Sequence, residues 1–190
     1  RVALLDVDYS FSDKNVMLRG VTTSAEAKNV LLKELARKGY AVMDCLELLP
    51  DVKGLEGKTC GIINVSVANM RVAPDFSSEM MTQSLMGMPV RVLQRDGWVR
   101  IQTPDNYIAW VHRVGVHPVT EEEMAAWNKA EKIVVTAHYG FVYSEPNQTS
   151  QTVSDVVAGN RLKWEGSKGA FYKVTYPDGR RGYISKSIAM

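Results

Sequence analysis

The sequence GWVRIQTPDNYIAWV, residues 97–111, decides the fold of much of this chain. Its two halves, residues 98–103 and 107–111, are rich in β-branched and aromatic side chains. The Pro-Asp-Asn at residues 104–106 between them is typical of a tight turn. We therefore predict two short antiparallel strands joined by this turn.

Similar short strands are predicted on the amino-terminal side of this stretch. Residues 61–67 and 89–93 have the same β-type composition, with turn residues at Pro74, Gly87 and Gly97. No helical pattern longer than a turn or two interrupts residues 59–119. Short strands separated by tight turns at this spacing predict a small β-barrel over residues 59–119.

The pattern of this barrel repeats further along the chain. Pro74 and Gly87 recur as Pro146 and Gly159, in each case 72 positions later. After one added residue the offset is 73, and it relates the following pairs: Val99 and Tyr172, Ile101 and Val174, Pro104 and Pro177, Trp110 and Tyr183, Val111 and Ile184. A repeat of this length indicates two copies of one β-module of about 60 residues. We therefore predict a second barrel over residues 132–190.

The segment before the first barrel, residues 1–58, has a different pattern. Thr23 and Glu26 form a capping box, apolar residues follow at helical spacing, and Gly39 stands where a left-handed residue ends a helix. Strands are predicted on both sides of this helix at the following places: residues 1–9, 15–21 and 40–49. Residues 50–58 are rich in glycine and charge and are predicted to be a linker. The segment is thus a small α+β unit with one helix.

A second helix is predicted between the two barrels, at residues 120–131. Thr120 and Glu123 form a capping box, and Met124 and Trp127 lie on one apolar face. The predicted fold is therefore mainly β, with two SH3-like small barrels in tandem after an α+β unit.

Composition excludes several classes of function. With 45% hydrophobic and 23% charged residues the chain is globular rather than disordered. The net charge of +2, and the lack of a run of like charges as long as a nucleic-acid tail or polybasic membrane patch needs, give no sign of a nucleic-acid partner. No apolar stretch approaches the roughly 20 residues of a membrane span. The chain begins at Arg1, so we expect a mature or excised product whose signal peptide is not in the sequence.

The motifs of the two repeats resemble those of bacterial SH3 domains. In the first copy the resemblance rests on Ala68-Asn69-Met70-Arg71-x-x-Pro74, Gly97-Trp98-x-x-Ile101 and Pro104-Asp105-x-x-x-Ala109-Trp110-Val111. In the second copy it rests on Ser144-Glu145-Pro146, Phe171-Tyr172-Lys173-Val174 and Gly182-Tyr183-Ile184. With the front unit and the intervening helix, the arrangement is similar to the non-catalytic front of NlpC-type cell-wall cysteine peptidases of the Bacteroides kind.

This resemblance implies a function. Such peptidases cleave the γ-D-glutamyl bond to a diamino acid in peptidoglycan stem peptides, with a cysteine thiolate activated by a histidine. The chain would be the targeting and substrate-gating part of such an enzyme, with the catalytic domain following Met190 as its partner. It would act in the cell envelope, periplasmic or exported, with the cytoplasm left as an alternative. A second function stays open, a free-standing module that binds the cell wall or another protein.

The resemblance also suggests residues that contact the substrate. Tyr107 matches an aromatic that closes the substrate cleft in related enzymes, and it could instead be an exposed strand residue. Trp110 is a further candidate, with barrel core as its alternative, and Trp98 is expected in the core as well. Arg71 could bind a substrate carboxylate. Where the second copy has Glu145 before its proline, the first has Ala73, so the first copy lacks a carboxylate at this position.

No catalytic residue, cofactor or metal site is predicted. Cys45 lies in a strand pattern rather than at a helix start, so we expect a buried thiol or a disulfide with Cys60. Histidines 112, 117 and 138 have no metal-ligand spacing and are expected to be solvated or in linkers.

Overall fold

The computed structural model describes residues 3–190 of the protein and is mainly β. This confirms the fold class expected from the sequence. The front unit contains three strands and one helix: β1 Leu5–Ser12, β2 Asn15–Thr22, α1 Ala25–Arg37 and β3 Ala41–Leu48. The sheet order is β1-β2-β3, with β1 antiparallel and β3 parallel to β2. Residues 1 and 2 of the first predicted strand lie outside the described residues.

The helix of the front unit begins one residue later than predicted. Ser24 is the N-cap, and its side chain accepts a hydrogen bond from the backbone N–H of Ala27. Thr23 instead accepts a hydrogen bond from the backbone N–H of Leu4, so its hydroxyl ties β1 to the loop before the helix. The predicted capping box at Thr23 is therefore wrong, whereas Gly39 has the expected positive φ of 80°.

The front unit has a small core on one face of its sheet. Val16, Leu18 and Leu46 are buried there, and Leu31 and Leu35 of α1 pack against them. The helix lies over β2 and β3. The apolar side chains of β1 on the same face are therefore left at its margin.

The first SH3-like domain is one seven-stranded sheet that surrounds a single apolar core. Its strands are β4 Cys60–Ile63, β5 Val67–Arg71, β6 Met80–Leu85, β7 Pro89–Asp96, β8 Trp98–Gln102, β9 Ile108–His112 and β10 Val116–Val119. The sheet order is β10-β4-β7-β8-β9-β5-β6. The hairpin predicted at residues 97–111 is β8 and β9. The expected single strand over residues 61–67 is wrong, because residues 64–66 separate β4 from β5, and the hairpin of β5 and β6 was not predicted.

The predicted linker contributes to this core. Leu55, within residues 50–58, is 4% exposed and packs with Ile63, Val92 and Ile101. The segment forms turns rather than a helix or strand. It is therefore held to the first domain by the Leu55 side chain and by the Asp51 N–H, which donates to the Leu93 carbonyl at 3.0 Å.

The second SH3-like domain follows helix α2, which spans Glu121–Lys129 and has the capping box predicted at Thr120. Its strands are β11 Lys132–Val134, β12 Tyr139–Tyr143, β13 Thr152–Val157, β14 Arg161–Lys168, β15 Phe171–Thr175 and β16 Arg181–Ser185. The sheet order is β11-β14-β15-β16-β12-β13. The pairing of β5 with β6 and β9 recurs here as the pairing of β12 with β13 and β16, as a structural repeat requires.

The two SH3-like domains are joined by direct hydrogen bonds. The Ser66 hydroxyl donates to an Asp155 carboxylate oxygen at 2.6 Å, and the Asn160 side-chain amide donates to the Ser66 carbonyl at 2.8 Å. The Asn64 amide donates to Asp178 at 2.9 Å. Burial alone would raise the pKa of Asp178, but hydrogen bonds from Asn64 and Arg180 hold it below its ordinary value. These contacts fix the two domains relative to each other.

Tyr176 should make the protein sensitive to alkaline pH. Its ring is 1% exposed, and burial raises the pKa of its hydroxyl to about 12, although Ser154 bonds the hydroxyl at 2.7 Å. In the unfolded chain this pKa returns to its ordinary 10.0. The contribution of the neutral Tyr176 hydroxyl to the free energy of unfolding is therefore complete below pH 10 and is lost as the pH rises towards 12. We expect the free energy of unfolding to fall by up to about 3 kcal/mol over this interval.

Urea denaturation at a series of alkaline pH values measures this loss. The variant Tyr176→Phe should flatten the decline, whereas Tyr139→Phe, at a tyrosine that is 59% exposed, should not. Equal slopes in all three proteins would contradict the assignment to Tyr176.

Among the described residues no helix has the length and hydrophobicity needed to cross a membrane.

Candidate functional site

The outer face of the first domain brings two of the three predicted site residues together. Ala109 and Val111 belong to the apolar core, so Trp110 between them points to the opposite face of the sheet. In the strand register Trp110 lies opposite Arg100 of β8 on one side and Arg71 of β5 on the other. The tryptophan is therefore flanked by two arginines.

Trp110 is buried, but outside the barrel core. Its ring is 8% exposed, and the Arg100 guanidinium lies over it, 4.8 Å from the ring centre. The same guanidinium is 3.6 Å from a carboxylate oxygen of Asp6 in the front unit. A cation over an aromatic face is a favourable contact, more so where water is excluded. Trp110 is thus one of the buried apolar side chains of the first domain, but alternation along β9 turns its ring away from Ala109 and Val111 and under Arg100.

Three rings form a second feature of this face. Phe76 lies 4.9 Å from Trp98 and 5.0 Å from His112, measured between ring centres, and Trp98 and His112 are 5.3 Å apart. We call Phe76, Trp98 and His112 the aromatic cluster. Phe76 is 66% exposed although it is large and apolar. Trp98 is half-buried beside it and outside the apolar core, so the expectation that Trp98 is a core ring is wrong.

The aromatic cluster lines a shallow groove of about 200 Å³. Arg71 reaches the same groove, where it donates a hydrogen bond of 2.5 Å to the Ser78 carbonyl. A guanidinium carries five N–H donors, so one such bond leaves capacity for an anion. The groove therefore combines flat apolar surfaces with one positive charge, which suits a ligand that carries a carboxylate.

Tyr107 lies in a different groove. It follows Asn106, which has a positive φ of 71°, in a turn closed by the Thr103 N–H donating to the Tyr107 carbonyl at 3.0 Å. Its ring is 47% exposed and lines a groove of about 490 Å³ with Leu4 and Met81. The structure therefore separates Tyr107 from Arg71 and Trp110, which the sequence had grouped as one set.

The histidines occupy three different environments. His112 is half-buried within the aromatic cluster, so its expected place in solvent or a linker is wrong. His117 is half-buried on β10 opposite Ile62, and His138 is exposed. Residues 3–190 contain no group of three His, Cys, Asp or Glu side chains placed to hold a metal.

Both cysteines are free thiols, so the disulfide alternative is wrong. Cys45 is exposed on β3, contrary to the expected burial, because the front sheet carries its helix on the other face. Cys60 is half-buried, and burial together with the Glu121 charge raises the pKa of its thiol. A raised pKa lowers the thiolate fraction, which makes Cys60 a poor nucleophile.

Sequence reasoning missed Phe76 and His112 as members of a site. A signal for His112 was present in the strand pattern. His112 lies two residues after Trp110 and therefore on the same face, as Trp98 and Arg100 do on the neighbouring strand. Phe76 lies in the irregular connection between β5 and β6, where no periodicity reports its direction.

Both repeats of the sequence match models of known protein families. Residues 70–114 match the model for the bacterial dipeptidyl-peptidase SH3 domain, and residues 138–188 match the model for the bacterial SH3 domain. The chain is thus a protein with two bacterial SH3 domains in tandem. The first of them, which carries the aromatic cluster, is of the dipeptidyl-peptidase type.

Solved structures with the same fold include two NlpC/P60 proteins. An NlpC/P60 family protein from Bacillus cereus ATCC 10987 is 20% identical over 69% of this chain and 55% of that chain, with a TM-score of 0.57. An NlpC/P60 endopeptidase from Photobacterium damselae subsp. piscicida is 13% identical over 89% of this chain, with a TM-score of 0.52. The chain spans 55% and 39% of the lengths of these two structures. No curated protein sequence matches it significantly.

Proposed function

We propose that this chain is the non-catalytic targeting and substrate-gating part of a peptidoglycan stem-peptide endopeptidase. The observation that carries the proposal is the dipeptidyl-peptidase type of the first SH3 domain, residues 70–114, which contains all three predicted site residues. The names of the two structural neighbours, both NlpC/P60 proteins, support the same conclusion. The partner is an NlpC-type catalytic domain of the same parent chain, and the site of action is the cell envelope.

The two grooves of the first domain suit different parts of a stem peptide. A peptide of the type L-Ala-γ-D-Glu-diamino acid carries carboxylates and a small apolar amino-terminal residue. The Arg71 guanidinium offers paired donors to a carboxylate, and the Tyr107 ring offers a flat face and one hydroxyl to the alanine end. Trp110 lies opposite Arg71 of β5 and Arg100 of β8 in the strand register, and the Arg100 guanidinium covers its ring. Gating then means that a longer peptide cannot pass Tyr107.

Replacing Tyr107 with alanine should weaken substrate binding in the enzyme that contains the catalytic domain. We expect the KM for the free tripeptide to rise about tenfold, which corresponds to about 1.4 kcal/mol, with kcat unchanged. The reason is that Tyr107 would contact the substrate away from the reacting bond. Steady-state kinetics with the tripeptide measure both constants.

Tyr139→Ala is the matched control, since Tyr139 is a more exposed tyrosine, at 59%, on the second domain. It should leave KM and kcat unchanged. If Tyr107→Ala behaves like this control, Tyr107 does not border the substrate.

A second function is favoured by the aromatic cluster, whose groove is separate from that of Tyr107. In this case the chain is a free-standing module that binds cell-wall polymers or another protein. Titration of the chain alone with stem tripeptide and with wall fragments distinguishes the two functions. Quenching of tryptophan fluorescence by wall fragments, lost in Phe76→Ala and absent with the tripeptide, would support the free-standing module.

A further inference from the structure

The first strand of the chain forms an unprotected sheet edge. β1 is the outer strand of the front sheet, and among the described residues its side chains are exposed or half-buried throughout. Natural proteins protect such edges with charged side chains, above all lysine, with proline, with bulges or with a covering element. β1 contains neither lysine nor proline, its two charged residues Asp6 and Asp8 lie on the face opposite α1, and its register with β2 runs without a bulge from Leu5 to Ser12. Such an edge is suited to pairing with another strand.

One side of this strand carries apolar side chains that nothing covers. Leu5, Tyr9 and Phe11 are 56%, 69% and 68% exposed. Tyr9 lies opposite Leu18 and Phe11 opposite Val16 in the register, and both partners are buried beneath α1. Directly opposed residues share a face, so the apolar layer under the helix continues onto β1 and is left open there. We call Leu5, Val7, Tyr9 and Phe11 the edge strip, in which Val7 is half-buried against the front core and the other three are exposed.

The first SH3 domain does not occupy this strip. Asp6 alternates to the other face of β1, and there its carboxylate lies 3.6 Å from the Arg100 guanidinium. The front unit thus contacts the first domain through the face opposite the helix. Tyr9 and Phe11 stack on each other instead, with ring centres 5.6 Å apart.

We propose that two copies of this chain pair through their β1 strands, antiparallel and centred on Tyr9, to form one six-stranded sheet. In this register Tyr9 faces its own copy and Val7 faces Phe11. On the other face Asp8 lies opposite Ser10, and Asp6 opposite Ser12. Over residues 6–12 every opposed pair is then apolar with apolar or carboxylate with hydroxyl, and no two carboxylates are directly opposed, whereas Leu5 falls opposite Asp13, beyond the end of β1.

Other registers fit less well. Centring on Asp8 puts two carboxylates opposite each other, which is destabilising. Centring on Ser10 leaves only residues 8–12 paired within β1. A register whose two-fold axis passes between two residues pairs the edge strip of one copy with the polar face of the other. The Tyr9 register is the longest within β1 that avoids these penalties.

The symmetry of this pairing also covers the edge strip. A two-fold axis perpendicular to the sheet makes the interface isologous and keeps both α1 helices on the same face. The Tyr9 and Phe11 rings of both copies then lie between the two helices. Each copy therefore completes the apolar layer that the other leaves open.

Engineered disulfides test the register directly. In a Cys45→Ser, Cys60→Ala background, Tyr9→Cys places two cysteines opposite each other. Opposed Cα atoms are about 4.5–5.5 Å apart, within the range that a disulfide spans. Ser10→Cys is the matched control, because its two copies become diagonal neighbours about 7–8 Å apart, too far for a bond. Mild oxidation should give mostly covalent dimer for Tyr9→Cys and several-fold less for Ser10→Cys.

The oligomeric state of the unmodified chain is the second readout. Light scattering at micromolar concentrations should show twice the monomer mass, and Phe11→Lys should return it to monomer. Tyr139→Lys, at another exposed aromatic, should remain dimeric. A monomer at every concentration, or equal cross-linking of Tyr9→Cys and Ser10→Cys, would overturn the proposal and assign the edge strip to another occupant. Neither result affects the expected change of KM at Tyr107, so the two proposals fail separately.

Discussion

Replacing Gly87 with alanine should lower the free energy of unfolding by about 3–4 kcal/mol, because two penalties add at this position. Gly87 has φ of 83°, a conformation that costs a residue with a Cβ atom about 1–2 kcal/mol. A Cβ atom on residue 87 would also lie 2.4 Å from the Arg161 carbonyl oxygen and 2.8 Å from the Arg161 Cβ. Overpacking of this kind typically costs about 1–3 kcal/mol more.

Gly97→Ala separates the two penalties. Gly97 also has a positive φ, 65°, but apart from its chain neighbours no atom lies within 4 Å of the position that a Cβ atom would take. It should therefore lose only the conformational part, about 1–2 kcal/mol. Urea denaturation of both variants gives the difference, which reports the close approach of the two domains at Gly87. Equal losses would mean that the second domain does not rest on Gly87.

The clash at Gly87 cannot be relieved by a small shift, because the backbone around it is bonded on several sides. The Arg161 N–H donates to the Met86 carbonyl at 3.0 Å, and the Trp127 indole N–H donates to the Gly87 carbonyl at 3.3 Å. Met86 and Gly87 belong to the first domain, Trp127 to helix α2 and Arg161 to the second domain. Gly87 is thus the point where all three elements meet.

The parts of this fold that could be predicted are those with a local pattern. The hairpin of β8 and β9 follows from alternating apolar residues around a Pro-Asp-Asn turn, and the second domain follows from the internal offset. Helix α2 begins where its capping box indicates, because Thr120 and Glu123 satisfy each other's backbone N–H groups. In the hairpin and in helix α2 the decisive contacts lie within a few residues in sequence, and the second domain is predictable because it repeats the pattern of the first.

The parts that could not be predicted depend on contacts between distant elements. Thr23 and Ser24 are both good N-caps, and the choice falls on Ser24 because the Thr23 hydroxyl is used by Leu4. Leu55 lies in a segment whose sequence is polar, and only its packing in the core of the first domain shows that it is buried. The domain boundaries at residues 58, 119 and 131 stay predictions.

The candidate site shows the same division. Residue types suggested Arg71, Tyr107 and Trp110, but only the strand register shows that Trp110 lies between two arginines on the outer face. The direction of a side chain on a strand alternates, so an error of one residue in the register exchanges core and surface. The aromatic cluster, which depends on a loop residue, lay beyond such reasoning.

Met86→Ala should destabilise the second SH3 domain although Met86 belongs to the first by sequence. Its side chain is fully buried and packs with Val156, Leu162 and Val174 in the core of the second domain. Truncation of a buried methionine costs about 2–5 kcal/mol through lost contacts and the cavity left behind. We expect a loss of about 3 kcal/mol. Met81→Ala, at a methionine that is 45% exposed, should change little.

The probe used to follow unfolding shows how this loss is shared. Met86 lies in the turn between β6 and β7 of the first domain, and its side chain belongs to the core of the second, so neither domain can unfold without exposing surface in the other. Near-ultraviolet circular dichroism and amide exchange at Ile101 and Ile184, one in each core, should therefore report a single transition that shifts as a whole in Met86→Ala. If only the Ile184 amide loses protection against exchange, the two cores unfold separately, and the Met86 side chain stabilises the second domain alone. A single shifted transition instead means that the two SH3 domains unfold as one cooperative unit. The second domain then keeps the outer face of the first domain in a fixed orientation relative to itself.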